Sequence, residues 1–457
     1  MEADVTQVAD GDLIVVLPGV LGSILARNGR QTWGYRKILG SLHKLADTLT
    51  DELSLPPEAF DHPAEGFDDG TRPTGTLRTV GIVPGLFTID GYDDLLAALR
   101  RRFPGDTVLE FPYDWRQSNE YSARLLQATV EPILDRRRRD HPRARLVLLA
   151  HSMGGLVARY YAECLDTRKL TRRVITFGTP YRGAAKALAV LANGAAAVGP
   201  FRLRLGELVR SLPSVAELLP TYACVGDSAD ALRPLAEVTV PGLPERCRER
   251  GLRFHADIEA AIVRNGTDRP SYHAILSHRQ STVTWTSVAA DGTVVAHAPG
   301  DFAERGDGTV PRCSAAPPEW HDDAASVFVA GRHAALQQQR EVLTQIQGIL
   351  TARRRPPMAV ADEIAVDADS HVLPGGTWTV SAQSVEQSDK LVLEVTVSDP
   401  VTCEPLASRP MRPAGDGRYE ARLPWMQAGL FRWHVHSTPL AATPVDPVSD
   451  VLLCTTA

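Results

Sequence analysis

The chain of 457 residues has 44% hydrophobic and 23% charged residues, the balance of a globular protein long enough to bury more than one core. A formal net charge of −6 gives no electrostatic ground for a nucleic-acid partner, and the basic runs DRRRRD (135–140) and RRRPP (353–357) read as solvated helix ends and a linker. Six cysteines without CxxC spacing, and no His/Cys/carboxylate cluster at ligand spacing, argue against a metal site; no metal and no cofactor is expected.

The amino-terminal MEADVTQVADGD is acidic where a secretory signal would be basic. The first apolar run, LIVVLPGVLG, is broken by Pro18 and two glycines and reads as a core strand, so the expected compartment is cytoplasmic. There Cys224 and Cys247 would stay reduced; they would pair only on export. Strand-like runs follow at TVLEF (107–111), RLVLLA (145–150), RRVITF (172–177), TVTWTSV (282–288) and SVFVA (326–330). Between them lie amphipathic helix patterns such as YDDLLAALRRRF, YSARLLQATVEPILDRRRR and GGLVARYYAECL. This alternation predicts an α/β fold with a mostly parallel sheet covered on both faces.

From 181 to 275 the alternation stops in favour of a helical, loop-rich stretch, the pattern of a cap inserted between strands. Its apolar segment AAKALAVLANGAAAVGP (184–200) is interrupted by Lys186 and Asn193 and is too short to span a membrane. PFRLRLGELVRSL, with Arg202, Arg204 and Arg210 among leucines, has the amphipathicity of a half-buried helix or of one in peripheral contact with an anionic membrane. A second break at RRRPPMAVADE (353–363) precedes five strand-like runs. Residues 1–355 are therefore expected to form one unit and 360–457 an all-β, immunoglobulin-like sandwich, which offers a surface for a protein partner.

The segment LVLLAHSMGGLVARYYAECL places a lone serine between a strand and a helix with small residues around it. A strand ending at Ala150, a turn through His151, Ser152 and Met153, and a helix from Gly154 make a nucleophile elbow. The turn forces strained backbone angles on Ser152, so Ala150 and Gly154 must be small for strand and helix to pass. In hydrolases of this kind the acid and then the histidine follow the serine in the chain. RGDGTVP offers Asp307 and FVAGRHAAL offers His333, both in loops after strand-like stretches. Asp291, Asp301, Asp322 and Asp323 are rival acids, and His297 and His321 rival bases; Asp307 and His333 are preferred for their loop positions. The amides of Met153 and Val20 are the expected oxyanion donors.

LPGVLGS (17–23), FPYDWR (111–116), AHSMGG (150–155), FGTPYRGA (177–184), RSLPSVAELLP (210–220) and GDGTVP (306–311) occur in an order that resembles the lecithin:cholesterol acyltransferase family, over roughly residues 13–350. The resemblance implies an α/β-hydrolase fold with a helical cap, in which serine takes an acyl group from a hydrophobic ester, often a phospholipid, and passes it to an alcohol or water. It implies Ser152, Asp307 and His333 as the triad, Val20 and Met153 as the oxyanion hole, and Asp114, Trp115 and Arg116 as structural support. Trp33, Leu21 and Tyr181 would be substrate or cap contacts. A tailoring esterase for a small-molecule ester, or a regulated binding protein docking through its sandwich, are the alternative readings.

Overall fold

The computed structural model describes residues 11–34, 42–78, 81–83, 87–194, 196–198, 201–203, 206–301, 304–320, 326–351, 363–385, 387–425, 427–438, 441 and 444–455, with backbone alone at 42–46, 81–83, 87–88, 196–198 and 201–203. The 353–357 linker, the rivals His321, Asp322 and Asp323, and Arg204 lie outside them, as does the side chain of Arg202.

Six parallel strands form the central sheet: β1 (Leu13–Leu17), β2 (Thr107–Glu110), β3 (Leu146–His151), β4 (Thr171–Phe177), β5 (Ser271–Ser277) and β6 (Ser326–Val329), in the order β6-β5-β4-β3-β1-β2. Every residue of β1 and β3 is buried, which is why both read as continuous apolar runs rather than alternations. The chain leaves β1 for β2 on one side and returns to β3 on the other, so the loops after β1 and β3 diverge. Such a switch point opens a crevice at the carboxyl ends of the strands. With helices α1 (Asn119–Arg137) and α2 (Met153–Tyr160) around this sheet, the architecture is that of an α/β-hydrolase.

The fifth strand differs from expectation. SYHAILS, not TVTWTSV, pairs with β4 and β6, while Trp285–Val288 joins a separate four-stranded sheet with Ala223–Val225, Arg233–Pro234 and Val294–His297. Alternating threonine and apolar residues suit a half-exposed strand. The buried β5 has only one β-branched residue and so carries little strand propensity of its own. The excursion expected over 181–275 therefore stops before Ser271 and resumes near Trp285. It is mixed rather than helical, combining α3 (Ala185–Asn193), α4 (Glu245–Asn265) and that sheet.

Beyond residue 363, a four-stranded sheet (Ile364–Ala368, Gly376–Ser384, Arg418–Trp425, Arg412–Gly415) faces a five-stranded one (His371–Val372, Val448–Cys454, Gly429–Ser437, Leu393–Ser398, Pro405–Pro410). Their inner faces share a core in which Trp378 of the first meets Trp433 of the second edge to face, 5.5 Å between centroids. Leu453, on the same sheet as Trp433, packs into the hydrolase core instead.

Candidate active site

Ser152 caps the turn between β3 and α2 at φ 52° and ψ −128°, a conformation that is strained for any L-residue. The surroundings compel it. A Cβ on Gly154 would lie 2.3 Å from the Pro18 carbonyl oxygen, and one on Gly155 would lie 2.0 Å from Thr179 Oγ1. Ala150 is fully buried. The turn is fastened by Ser152 N donating to the Phe177 carbonyl (3.0 Å) and Thr179 Oγ1 donating to the Ser152 carbonyl (3.0 Å).

Asp307 and His333 converge on this hydroxyl from the loops after β5 and β6. His333 Nε2 is 2.8 Å from Ser152 Oγ, and His333 Nδ1 is 2.6 Å from Asp307 Oδ2. All three residues are at most 7% exposed. The other carboxylate oxygen of Asp307 accepts from the amides of Thr309 (2.9 Å) and Val310 (2.7 Å), and the His333 amide donates to the Asp307 carbonyl (2.8 Å). The carboxylate is thus aimed, and it fixes the proton of the imidazole on Nδ1, leaving Nε2 to accept from the serine.

Two of the other candidates are engaged elsewhere. His297 stacks on Trp285 at 3.9 Å and pairs with Ser287, and Asp291 caps the turn at Thr293. Asp301 is exposed.

The loop after β1 lies beside the serine, with a Cβ on Gly19 reaching to 2.8 Å from Ser152 Cβ. PYDWR holds it: Tyr113 Oη donates to the Pro18 carbonyl (2.9 Å), Tyr113 N to Ser23 Oγ (3.0 Å) and Trp115 Nε1 to the Ser23 carbonyl (3.3 Å). Arg116, with no exposure, lies between Asp114 (2.7 Å) and Asp69 (2.9 Å). Val20 lines the cavity next to Ser152, and Met153 is the first residue of α2. Among the described residues neither amide has a hydrogen-bond acceptor, whereas the Gly19 amide is committed to Tyr92 Oη (2.8 Å).

Trp33, Leu21 and Tyr181 are buried but do not line that cavity. Trp33 Nε1 donates to the Leu21 carbonyl (2.7 Å) and its ring meets Trp115 edge to face, so both brace the β1 loop from behind. Tyr181 Oη pairs with Thr176 Oγ1 (2.8 Å) under the Arg159 guanidinium. The lining comes instead from Pro180, Ala184, Lys186, Val190, Leu218 and Val310. Lys186 is half-buried, and burial lowers its pKa. Arg210 donates to the carbonyls of Leu191 (2.8 Å), Ala192 (2.6 Å) and Gly242 (3.0 Å), tying cap segments together rather than facing outward.

His151 and Tyr92 join the three loops. His151 Nε2 donates to the His333 carbonyl (3.0 Å), which leaves Nδ1 to accept from Tyr92 Oη (2.9 Å), whose oxygen accepts from Gly19 N. Burial holds the His151 pKa well below the usual histidine value, so it stays neutral in this chain of bonds. The histidine was visible in the motif; nothing in the sequence marks Tyr92 as its partner.

No group of three metal-ligating side chains and no helix long and apolar enough to cross a membrane occurs among the described residues.

Residues 102–287 match the sequence profile of the lecithin:cholesterol acyltransferase family. The human lysosomal phospholipase A and acyltransferase is 32% identical over 123 residues, 25% of this chain and 29% of that protein. An uncharacterised Saccharomyces cerevisiae protein is 36% identical over 103 residues, 22% of this chain. The chain thus spans under a third of the length of either relative, 15% in the yeast case. A Bacillus licheniformis lipase in its propeptide form aligns over 97% of this chain and 93% of its own, at 10% identity and a TM-score of 0.36.

Proposed function

We propose that this chain, a member of the lecithin:cholesterol acyltransferase family, carries the acyl group of a lipid-like ester on Ser152 and delivers it to an alcohol or to water. The observation that carries this reading is the contact of Ser152 Oγ with an imidazole oriented by Asp307, at the wall of an apolar cavity. As Ser152 Oγ bonds to the ester carbonyl carbon, its proton passes to His333 Nε2. The oxyanion formed at the carbonyl oxygen takes hydrogen bonds from the Val20 and Met153 amides. Collapse of this intermediate breaks the bond to the leaving alcohol, which takes the proton from Nε2 and departs, leaving acyl-Ser152. A second alcohol, or water, then repeats the sequence in reverse and frees the serine.

The cavity beside Ser152 encloses about 40 Å³, room for about one water molecule and far below the volume of an acyl chain. Entry of an acyl chain therefore requires the lining to move.

The test is mass spectrometry after incubation with phospholipid vesicles and a long-chain alcohol, comparing wild type with Ser152→Ala, alongside labelling by a fluorophosphonate. Fatty acid or acyl-alcohol from wild type alone is the expected result, and their ratio measures hydrolysis against transfer. Labelling of Ser152 without product from vesicles would keep the nucleophile and discard the phospholipid. Absence of both would overturn the reading.

A further inference from the structure

The segment beyond residue 363 lies outside the matched family region, yet it bonds the hydrolase at Arg332, Asp90 and Gln280, which adjoin the His333 and Asp307 loops. Arg332, immediately before His333, donates through Nε to Asp450 in strand Val448–Cys454 (2.8 Å) and through Nη1 to the carbonyl of Val366 (3.3 Å). On the other side of His333, the Ala334 carbonyl accepts from the Asp90 amide (2.8 Å), and the Asp90 carboxylate is held by Arg432 through Nε at 2.7 Å. The acid loop is joined in the same way. Gln280 pairs with Gly306, its amide donating to that carbonyl (2.9 Å), while its side chain accepts from Val366 N (3.1 Å) and donates to the Ile364 carbonyl (3.4 Å). All of Asp90, Asp450 and Gln280 are at least nine-tenths buried, and Leu453 adds a fully buried apolar contact. Burial raises the pKa of both carboxyls against the pull of their arginines, as expected for dry pairs.

We propose that the carboxy-terminal β-sandwich is a positioning element of the active site, fixing the His333 loop through Arg332–Asp450 and Arg432–Asp90 and the Asp307 loop through Gln280. Within the hydrolase, His151 Nε2 holds the His333 carbonyl and the Asp307 carbonyl holds the His333 amide. But the loop leaves the edge strand β6, which has a neighbour on one side only, and the flanking Arg332 and Asp90 take their ion-pair partners from the sandwich. Ser152 follows the interior strand β3, and among the described residues its hydrogen-bond partners all belong to the hydrolase. The inference rests on the reading of Ser152 as nucleophile, and it gives the sandwich a task distinct from binding a partner.

The experiment uses full-length protein. Asp450→Asn keeps the shape of the carboxylate and removes its charge; Arg332→Lys keeps the charge but cannot serve Asp450 and Val366 together. Val395→Ala, in the sandwich core away from both loops, is the control for stability alone. For each, the rate of fluorophosphonate labelling of Ser152 is measured per folded molecule, with kcat and KM on a soluble ester and hydrogen exchange at 306–310 and 331–336. Asp450→Asn and Arg332→Lys are expected to lower labelling and kcat by about 10- to 100-fold with KM little changed, the cost of a misplacement on the order of 1 Å. They should also lose protection at 331–336 but not at 150–155. Val395→Ala should lower the Tm and leave the labelling rate unchanged. Wild-type rates and unchanged protection in both loop variants would overturn the proposal. A wild type that fails to label would instead overturn the nucleophile, while the exchange pattern still reports on the loops.

Discussion

Ser152 and His333 are 2.8 Å apart, yet the two regions that carry them are held by different means. The elbow is fixed from within. Its backbone is wedged between Pro18, Phe177 and Thr179, and the residues that make the wedge fit, Ala150, Gly154 and Gly155, are its own neighbours in sequence. The His333 loop is held by residues distant in sequence: Asp90 at the Ala334 carbonyl, Asp450 at Arg332 and His151 at the His333 carbonyl. The strained backbone at Ser152 persists because these steric walls, with the bonds from Thr179 and to Phe177, over-determine it. The His333 imidazole is oriented rather than strained, and ion pairs and carbonyl contacts provide the orientation.

Asp307→Asn separates orientation from architecture most sharply. An asparagine oxygen can still accept from the Thr309 and Val310 amides, so the loop should persist. Its NH₂ would face Nδ1 and force the proton onto Nε2, where it blocks the serine. Turnover should fall about 10⁴-fold with the Tm little changed, measured by kcat and thermal unfolding. A large drop in Tm would show instead that the carboxylate builds the loop.

Gly154→Ala attacks the other region, and there activity and stability should fall together. The new Cβ would lie 2.3 Å from a backbone oxygen that has no room to retreat. Overpacking of this kind costs about 1–3 kcal/mol. Gly348, inside the helix Arg340–Thr351 with nothing within 4 Å of its would-be Cβ, is the contrast. Gly348→Ala should stabilise by about 0.4–1 kcal/mol through the unfolded chain and leave turnover untouched. Denaturant midpoints for the two variants should move in opposite directions.

The same contrast explains what the sequence made legible. Ser152, Ala150 and Gly154 could be read because steric demands act within five residues. Asp307 and His333 could be read from chain order and from their loops, and the sandwich strands from period-two alternation. The strand Ser271–Ser277 could not, because its pairing with β4 and β6 overrides a weak propensity. The packed roles of Trp33, Leu21 and Tyr181 were equally hidden: an aromatic near a motif looks the same whether it faces the cavity or braces a loop from behind. Arg332, Arg432 and Gln280 carry no local signal, since each finds its partner only in the folded chain.

A slope in pH again divides two regions. His255, on α4 in the cap, donates through Nε2 to the Glu217 carbonyl (3.0 Å), and burial pushes its pKa down to about 4. His151, in the elbow, is also held neutral by burial. For each the folded pKa is below the unfolded value, so the unfolded chain takes up a proton that the folded chain refuses. Their stability contribution is complete above pH ~6.5 and is lost as the pH falls below that value, at up to about 1.4 kcal/mol per pH unit for each group. Asp90, pushed up to about 6 by burial, has the opposite sign: between about pH 6 and 4 it holds a proton the unfolded chain lacks, offsetting part of the loss. Urea unfolding at pH 7 and pH 5 should show His255→Gln and His151→Gln each removing part of the slope. An unchanged slope in either variant would contradict its buried neutral state. Only His151→Gln should also slow labelling of Ser152, because only His151 bonds the carbonyl of His333 and, through Tyr92, the amide of Gly19.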